Sequence, residues 1–272
     1  GYVAPEVLAG KKDAAGKSIL PSVETDLHAM AVLMYEYLLN RHPLKGSKVN
    51  SKKSGEEDEH LSLGSHALFI EHSKDSSNRL RNAPKVPLNA LGPYLEALFH
   101  KAFEEGLHHP AKRPDAAQWE RAIYRTFDML HPSPEAGKWF VLAPGMPMKC
   151  PFTGKKLKKT VPFASCHLER KPGEFIPENH SITIYHNMLL HTWHMKSNVF
   201  PDATVDRKLK GYFSFHNGEW VLVNQSGAAM QVIGGSDVPH GQMIKIKKGL
   251  KLLLHKGEKG RLLIFDFMKA VK

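Results

Sequence analysis

A chain of 272 residues, 42% of them hydrophobic, has enough apolar side chain to bury a sizeable core and room for two domains. Its longest strongly apolar stretch, Ala29 to Leu39, is broken by Glu36 and falls well short of the roughly 20 residues of a membrane span. No signal-peptide pattern opens the chain, so a cytoplasmic protein is expected, and two cysteines, Cys150 and Cys166, exclude a disulfide framework.

The net charge of +11 is unevenly placed: residues 1–148 hold 18 Lys+Arg against 18 Asp+Glu, whereas 149–272 hold 20 against 9. That asymmetry predicts two modules. The basic one can attract an acidic or phosphorylated protein segment, nucleic acid or anionic membrane, or simply carry a solvated basic face. Protein partners are expected in preference to nucleic acid, and no membrane partner is expected.

In chain order, residues 1–130 read as helical. Thr25 is placed to cap a helix whose apolar positions Leu27, Met30, Ala31, Met34 and Leu38 recur at three and four residues, stopping at Asn40 before His42-Pro43. Lys45 to Asn89 is polar, with one hydrophobic island at Leu68, Phe69 and Ile70, and predicts a long, partly mobile insertion whose tip lies outside the core. A second helix carries Leu91, Leu95, Leu98, Phe99, Ala102 and Phe103 on one face and ends at Gly106. A third starts after Pro114, with Asp115 and Gln118 as a capping box and Trp119, Ile123, Phe127 and Leu130 as its stripe.

Pro132 to Pro151 reads as a linker, after which the period changes. Strands are predicted over Ile182 to Ile184, Met188 to Trp193, Tyr212 to Phe215 and Trp220 to Val223, the last two joined by an Asn217-Gly218 hairpin turn. Met230 to Ile233, Met243 to Ile246, Leu250 to Leu254 and Leu262 to Phe267 follow. Many short strands at this spacing predict an antiparallel sandwich. His186, His191 and His194 are close in sequence, but strand alternation sends them to opposite faces, so no metal site is expected. Tyr212, Phe213, Phe215 and Trp220 read as sandwich core ahead of a base-stacking platform.

Tyr2-Val3-Ala4-Pro5-Glu6, Thr25-Asp26 opening a helix through Tyr35-Glu36 to Arg41-His42-Pro43, and Lys112-Arg113-Pro114 before the last helix together resemble the C-lobe of a bacterial, eukaryotic-like Ser/Thr protein kinase from the end of its activation segment onward. The resemblance covers residues 1–131 and implies structural roles for Pro5, Glu6, Asp26 and Arg113. Glu6 would pair with Arg113, and Asp26, at the start of a buried helix, would face a catalytic loop this sequence does not contain. The Gly-rich loop, strand lysine, His-Arg-Asp loop and Asp-Phe-Gly of phosphoryl transfer are missing too, so the chain reads as a fragment with no catalytic residue or cofactor of its own. ATP and Mg are expected for the parent. The stretch Leu68 to His72 with Leu107-His108-His109-Pro110 resembles a subgroup whose implied partners are a von Willebrand-type domain protein and a metal-dependent phosphatase. Cys150-Pro151-Phe152-Thr153-Gly154 stands where relatives carry a Cys-Pro-x-Cys-Gly zinc element, and Thr153 supplies no thiolate.

Residues 152–272, beyond the linker at 132–151, resemble a forkhead-associated (FHA) sandwich in their later half, from Arg207 through Tyr212-Phe213-Ser214-Phe215, Gly218-Glu219-Trp220 and Val223-Asn224-Gln225-Ser226 to Gly241 and Gly249. The family's phosphothreonine contacts are unmatched. Arg207, Lys208, Lys210, Asn224 and Ser226 are the candidate partner-binding residues, and the three cations read either as a phosphate grip or as a basic strand end. The resemblances imply a kinase fragment with a recruiting module; the alternative is a non-catalytic pseudokinase or phosphopeptide-binding adaptor.

Overall fold

The computed structural model describes residues 1–10, 12, 16, 20–49, 54–133, 135, 137–157 and 160–269. The chain divides into two compact units, Gly1–Ile123 and Tyr124–Lys272.

Unit 1 is helical. Helix α1 (Pro5–Leu8) starts with Pro5, whose missing N–H costs nothing in a first turn. Helix α2 (Val23–Leu39) begins two residues before the expected cap: Ser22 is the N-cap, and Thr25, three positions in, accepts the Ser22 N–H at 2.8 Å. It ends at Asn40 in the left-handed region, φ 52°. Helix α3 (Gly55–Leu63) follows, then α4 (Gly92–His100), which runs into a single π turn at Lys101–Glu105 and stops at Gly106. Helix α5 (Ala116–Phe127) carries the expected box, with Gln118 N–H donating to Asp115 Oδ1 (2.7 Å) and Asp115 N–H to Gln118 Oε1 (3.1 Å). The core gathers Val32 and Tyr35 of α2, Phe99 of α4, Phe103 and Trp119, with Tyr35 edge-on to Phe99 at 5.1 Å. On α5 only the Trp119 side of the predicted stripe is buried: Ile123 and Phe127 are exposed, and Leu130 has left the helix for a strand.

The polar stretch 45–89 is built into this core. Phe69 and Ile70 are fully buried, and buried Asn78 donates to the Leu44 and Leu68 carbonyls. Glu71 accepts from Tyr35, Arg41 and the Leu88 N–H. One hydrophobic island and one buried amide thus anchor the segment; its tip, residues 50–53, lies outside the described residues.

The strands of unit 2 pair antiparallel throughout the described residues. Strands β1 (Leu130–Ser133) and β2 (Lys138–Val141) form a hairpin where a linker was expected, and Phe140, Leu142 and Met148 make a small core with Val161 and Met268. A five-stranded sheet has the order β4-β3-β11-β10-β8, from β3 (Val161–Lys171), β4 (Glu174–Thr183), β8 (Gln231–Val232), β10 (Lys251–Leu253) and β11 (Arg261–Met268). A four-stranded sheet has the order β5-β6-β7-β9, from β5 (Leu189–Leu190), β6 (Gly211–His216), β7 (Glu219–Asn224) and β9 (Met243–Lys245). Ala164, Ile182, Leu252 and Phe265 of the first sheet share one core with Leu190, Phe213 and Leu222 of the second, which makes a sandwich. The Asn217-Gly218 turn has both residues at positive φ, 50° and 81°, as a two-residue hairpin requires. The predicted strand Met188 to Trp193 is cut short, because Thr192–Met195 forms one helical turn, α6.

Candidate functional site

The expected staple of unit 1 is present. Arg113 Nη1 and Nη2 donate to Glu6 Oε1 and Oε2, both at 2.8 Å, with each residue only 6% exposed. The other three N–H groups of the guanidinium reach the carbonyls of Gly106 (2.9 Å), Glu24 (2.7 Å) and Leu107 (3.1 Å), so all five donors are used. Arginine alone has the fork to do this. Gly106 makes room, since a Cβ there would stand 2.9 Å from Arg113 Cγ. Burial alone would raise the Glu6 pKa, but the hydrogen bond from Arg113 and its charge hold the carboxyl below its ordinary value. Pro5 is buried beside it at the first position of α1.

Asp26 departs from the expectation. It is exposed on the first turn of α2, neither a buried acceptor nor the cap, because the capping role has passed to Ser22 and Thr25.

In unit 2 the five candidate residues lie at one end of the sandwich. Gly211 pairs with Asn224 in the β6–β7 register, and the Gln225 N–H donates to the Lys210 carbonyl at 2.9 Å, which sets the 207–210 segment beside the 224–226 loop. Their chemistry differs. Asn224 is fully buried and faces inward: its Nδ2 donates to Ala228 O and Val238 O, and its Oδ1 accepts from both the N–H and the hydroxyl of Ser226. Asn224 and Ser226 therefore shape the loop. Lys210 is neutralised by Asp206 at 2.9 Å. Arg207 and Lys208 are exposed.

The three histidines have separate duties. His186 Nδ1 accepts the Phe215 N–H, His191 Nδ1 lies 3.2 Å from the Arg207 carbonyl, and His194 Nδ1 accepts the His191 N–H at 2.9 Å. That last bond fixes the proton of neutral His194 on Nε2, which faces Asp128 Oδ1 at 3.3 Å. His180 Nε2 lies 2.8 Å from the other carboxylate oxygen. Burial would raise the Asp128 pKa, but the two histidines outweigh it and hold the carboxyl well below the usual range. Among the described residues, no three acidic, histidine or cysteine side chains are placed to hold a metal, and no helix is long and apolar enough to cross a membrane.

Sequence reading missed this Asp128–His180–His194 cluster and the buried pair of Arg261 with Glu178, at 2.8 Å. Each acid lies 52 to 83 residues from its partner, and no local pattern marks the pairs.

No family model matches the chain, and no curated protein matches it. Among solved structures, it is similar to the FHA domain of a hypothetical protein from Arabidopsis thaliana, with 11% identity and a TM-score of 0.28 over 44% of this chain and 98% of that one. It is similar to the yeast splicing factor Pml1, solved with its integration into the RES complex, with 14% identity and a TM-score of 0.26 over 40% of this chain and 81% of that one. Full-length yeast Pml1p gives 12% identity and a TM-score of 0.27 over 47% of this chain and 99% of that one.

Proposed function

We propose that unit 1 is the substrate-side lobe of a Ser/Thr protein kinase and that unit 2 is an FHA-like module recruiting phosphorylated or acidic protein segments to it. The observation that carries the reading is the buried, bidentate Glu6–Arg113 pair, which ties Ala-Pro-Glu at one end of unit 1 to the Arg-Pro that precedes α5, 107 residues away. A second observation supports it. Helix α2 is apolar almost all round, yet Leu33 is 56% and Tyr37 88% exposed, and a helix of that composition normally has protein on every side. In a kinase lobe, the catalytic-loop region would cover this face. In unit 2, Arg207 and Lys208 would meet the anionic partner through charge, while Asn224 and Ser226 hold the loop from inside.

Two experiments test the two halves. The coding sequence ahead of Gly1 either supplies the strand lysine and the two catalytic aspartates or it does not. If it does, the longer chain transfers the γ-phosphoryl of ATP·Mg to protein; if the lysine and both aspartates are missing, the adaptor reading replaces the kinase one. For the module, calorimetry compares threonine-phosphorylated and plain peptides. Tighter binding of the phosphorylated form, lost in Arg207→Ala/Lys208→Ala, is expected, and equal or absent binding dismisses phosphate reading.

A further inference from the structure

Asp128, His194, His191 and Arg207 are joined by a relay of hydrogen bonds whose directions are forced. The His191 N–H donates to His194 Nδ1 at 2.9 Å, so neutral His194 keeps its own proton on Nε2, 3.3 Å from Asp128 Oδ1. At the far end, His191 Nδ1 lies 3.2 Å from the Arg207 carbonyl, and because a carbonyl only accepts, His191 keeps its proton on Nδ1. The relay thus runs from a buried carboxylate to the exposed Arg207 and Lys208.

Its two ends are lightly held. Met195 anchors one end of α6 in the core, but the turn itself is closed by the His194 N–H on the His191 carbonyl, at 2.9 Å, and by the reciprocal bond to Nδ1. Trp193 stacks on the His191 ring at 4.4 Å and couples that ring to the turn. In the 206–210 segment, the Lys208 N–H and Lys210 Nζ both donate to Asp206, so these bonds stay within the segment, and its next tie to the sheet is the Lys210 N–H on the Leu190 carbonyl.

A further proton can enter His194 only at Nδ1, where it converts an acceptor into a donor aimed at the His191 N–H. We propose that His194 is a pH-sensitive latch: its protonation breaks the bond to the His191 N–H, opens the α6 turn and, through the His191 ring, releases Arg207 and Lys208. The groups around the latch admit that proton. Asp128, on the turn after α5, touches the ring itself and stays ionised: burial would raise its pKa, but the two histidines hold it well below the usual range. His180 of β4 shares Asp128 and stands outside the relay. Arg261 of β11 reaches the His194 carbonyl at 3.5 Å and is paired with Glu178 of β4 at 2.8 Å, while Arg125 of α5 donates to the Glu178 carbonyl at 3.1 Å. Cys166 of β3 stays a neutral thiol, since burial pushes it far up. A proton on His191 enters at Nε2 and leaves the bond to Arg207 in place.

What the release does to recruitment rests on the reading of Arg207 and Lys208 given above; the latch is tested without any peptide, so the two can fail separately. Amide exchange and backbone relaxation of the full chain are followed by NMR at pH about 7.5 and about 5, either side of the histidine range. Exchange is expressed as protection relative to the unstructured chain, which removes its intrinsic pH dependence. At the lower pH the His191 amide should lose protection roughly fivefold, the worth of one hydrogen bond, and the order parameters of Arg207 and Lys208 should fall while the β7 amides keep theirs. Side-chain nitrogen shifts should show His194 Nδ1 bare at the higher pH and protonated in step with that loss. His194→Asn, whose amide oxygen accepts without titrating, should abolish the step. His191→Leu cuts the second link alone, so residues 207 and 208 should be loose at both pH values while the amide at position 191 keeps its step. Unchanged protection of the His191 amide, a His194 Nδ1 already protonated at the higher pH, a step that survives His194→Asn, or a loss shared equally by β7 each overturns the proposal.

Discussion

Replacing Arg113 by alanine strips five hydrogen bonds from unit 1 and leaves a carboxylate buried without its cation. Breaking one side of a buried ion pair costs about 3–5 kcal/mol, because the remaining charge cannot regain its water. Against a total of ~5–15 kcal/mol for a domain, that is a large share. With a urea dependence of about 2 kcal/mol per molar, the unfolding midpoint of unit 1 should fall by about 2 M. Hydrogen exchange read by mass spectrometry on peptides from α2 and α4 assigns the loss to this unit and separates it from unit 2. The double variant Glu6→Leu/Arg113→Met removes both charges and should cost at least ~1 kcal/mol less than the sum of the single changes. The pH dependence has a definite sign. Because the folded state holds Glu6 below its ordinary 4.5, the pair's stabilisation is complete above that value and is lost as pH falls through the lower folded one. Arg113→Ala should erase that acid limb. A cost under about 1 kcal/mol, or strict additivity in the double variant, would refute the account of the staple.

His28 is buried with neither ring nitrogen hydrogen-bonded, and burial, aided by the Arg113 charge, lowers its pKa to about 3. The unfolded chain therefore takes up a proton that the folded one refuses, so stability drains as pH falls from 6.5 toward 3; His28→Phe should recover about 2–3 kcal/mol near pH 4.5 relative to pH 8, and an equal effect at both pH values would contradict this. Asp128→Asn leaves His180 and His194 without their shared carboxylate and should cost on the order of 3 kcal/mol at neutral pH. Since the folded state depresses the Asp128 pKa below 3.8, the variant should also lose less stability than the parent in acid urea titrations. Burial would raise the Cys150 thiol, but hydrogen bonds from Ser133 and Thr153 bring it to about 7, whereas burial pushes Cys166 far up. Alkylation of the folded protein should thus label Cys150 with a midpoint near pH 7 and spare Cys166 until the chain unfolds; equal labelling of the two would count against it.

The sequence alone was enough to mark α2, α4 and α5 and most of the short strands, because each records its burial in the chain itself, as a 3.6 period, a capping pair or a turn at Asn217-Gly218. Glu6 and Arg113 were legible only through a resemblance in motif order, since nothing local connects residues so far apart. The failures have physical causes. Helix α2 starts ahead of its apolar stripe because Ser22 takes the N-cap position and Thr25, three residues on, reaches back to accept the Ser22 N–H. The insertion looked too polar to pack, yet Phe69, Ile70 and the Asn78 amide suffice to seat it, and composition averages such sparse anchors away. Strand β3, the longest among the described residues, and the hairpin β1–β2 were not anticipated; its prolines make the hairpin read as linker, yet a two-stranded sheet has only edge strands, where Pro132 is tolerated.

What only the tertiary structure decided is which way the candidate side chains face and what meets across the sandwich. Asn224 and Ser226 turned out to hold their loop from within, Asp26 to sit in the open, and Asp128 to gather two histidines from distant strands and turns. Sequence periodicity records whether a residue is buried but not its partner. Partners are chosen when strands align and loops close, and those events depend on the whole chain.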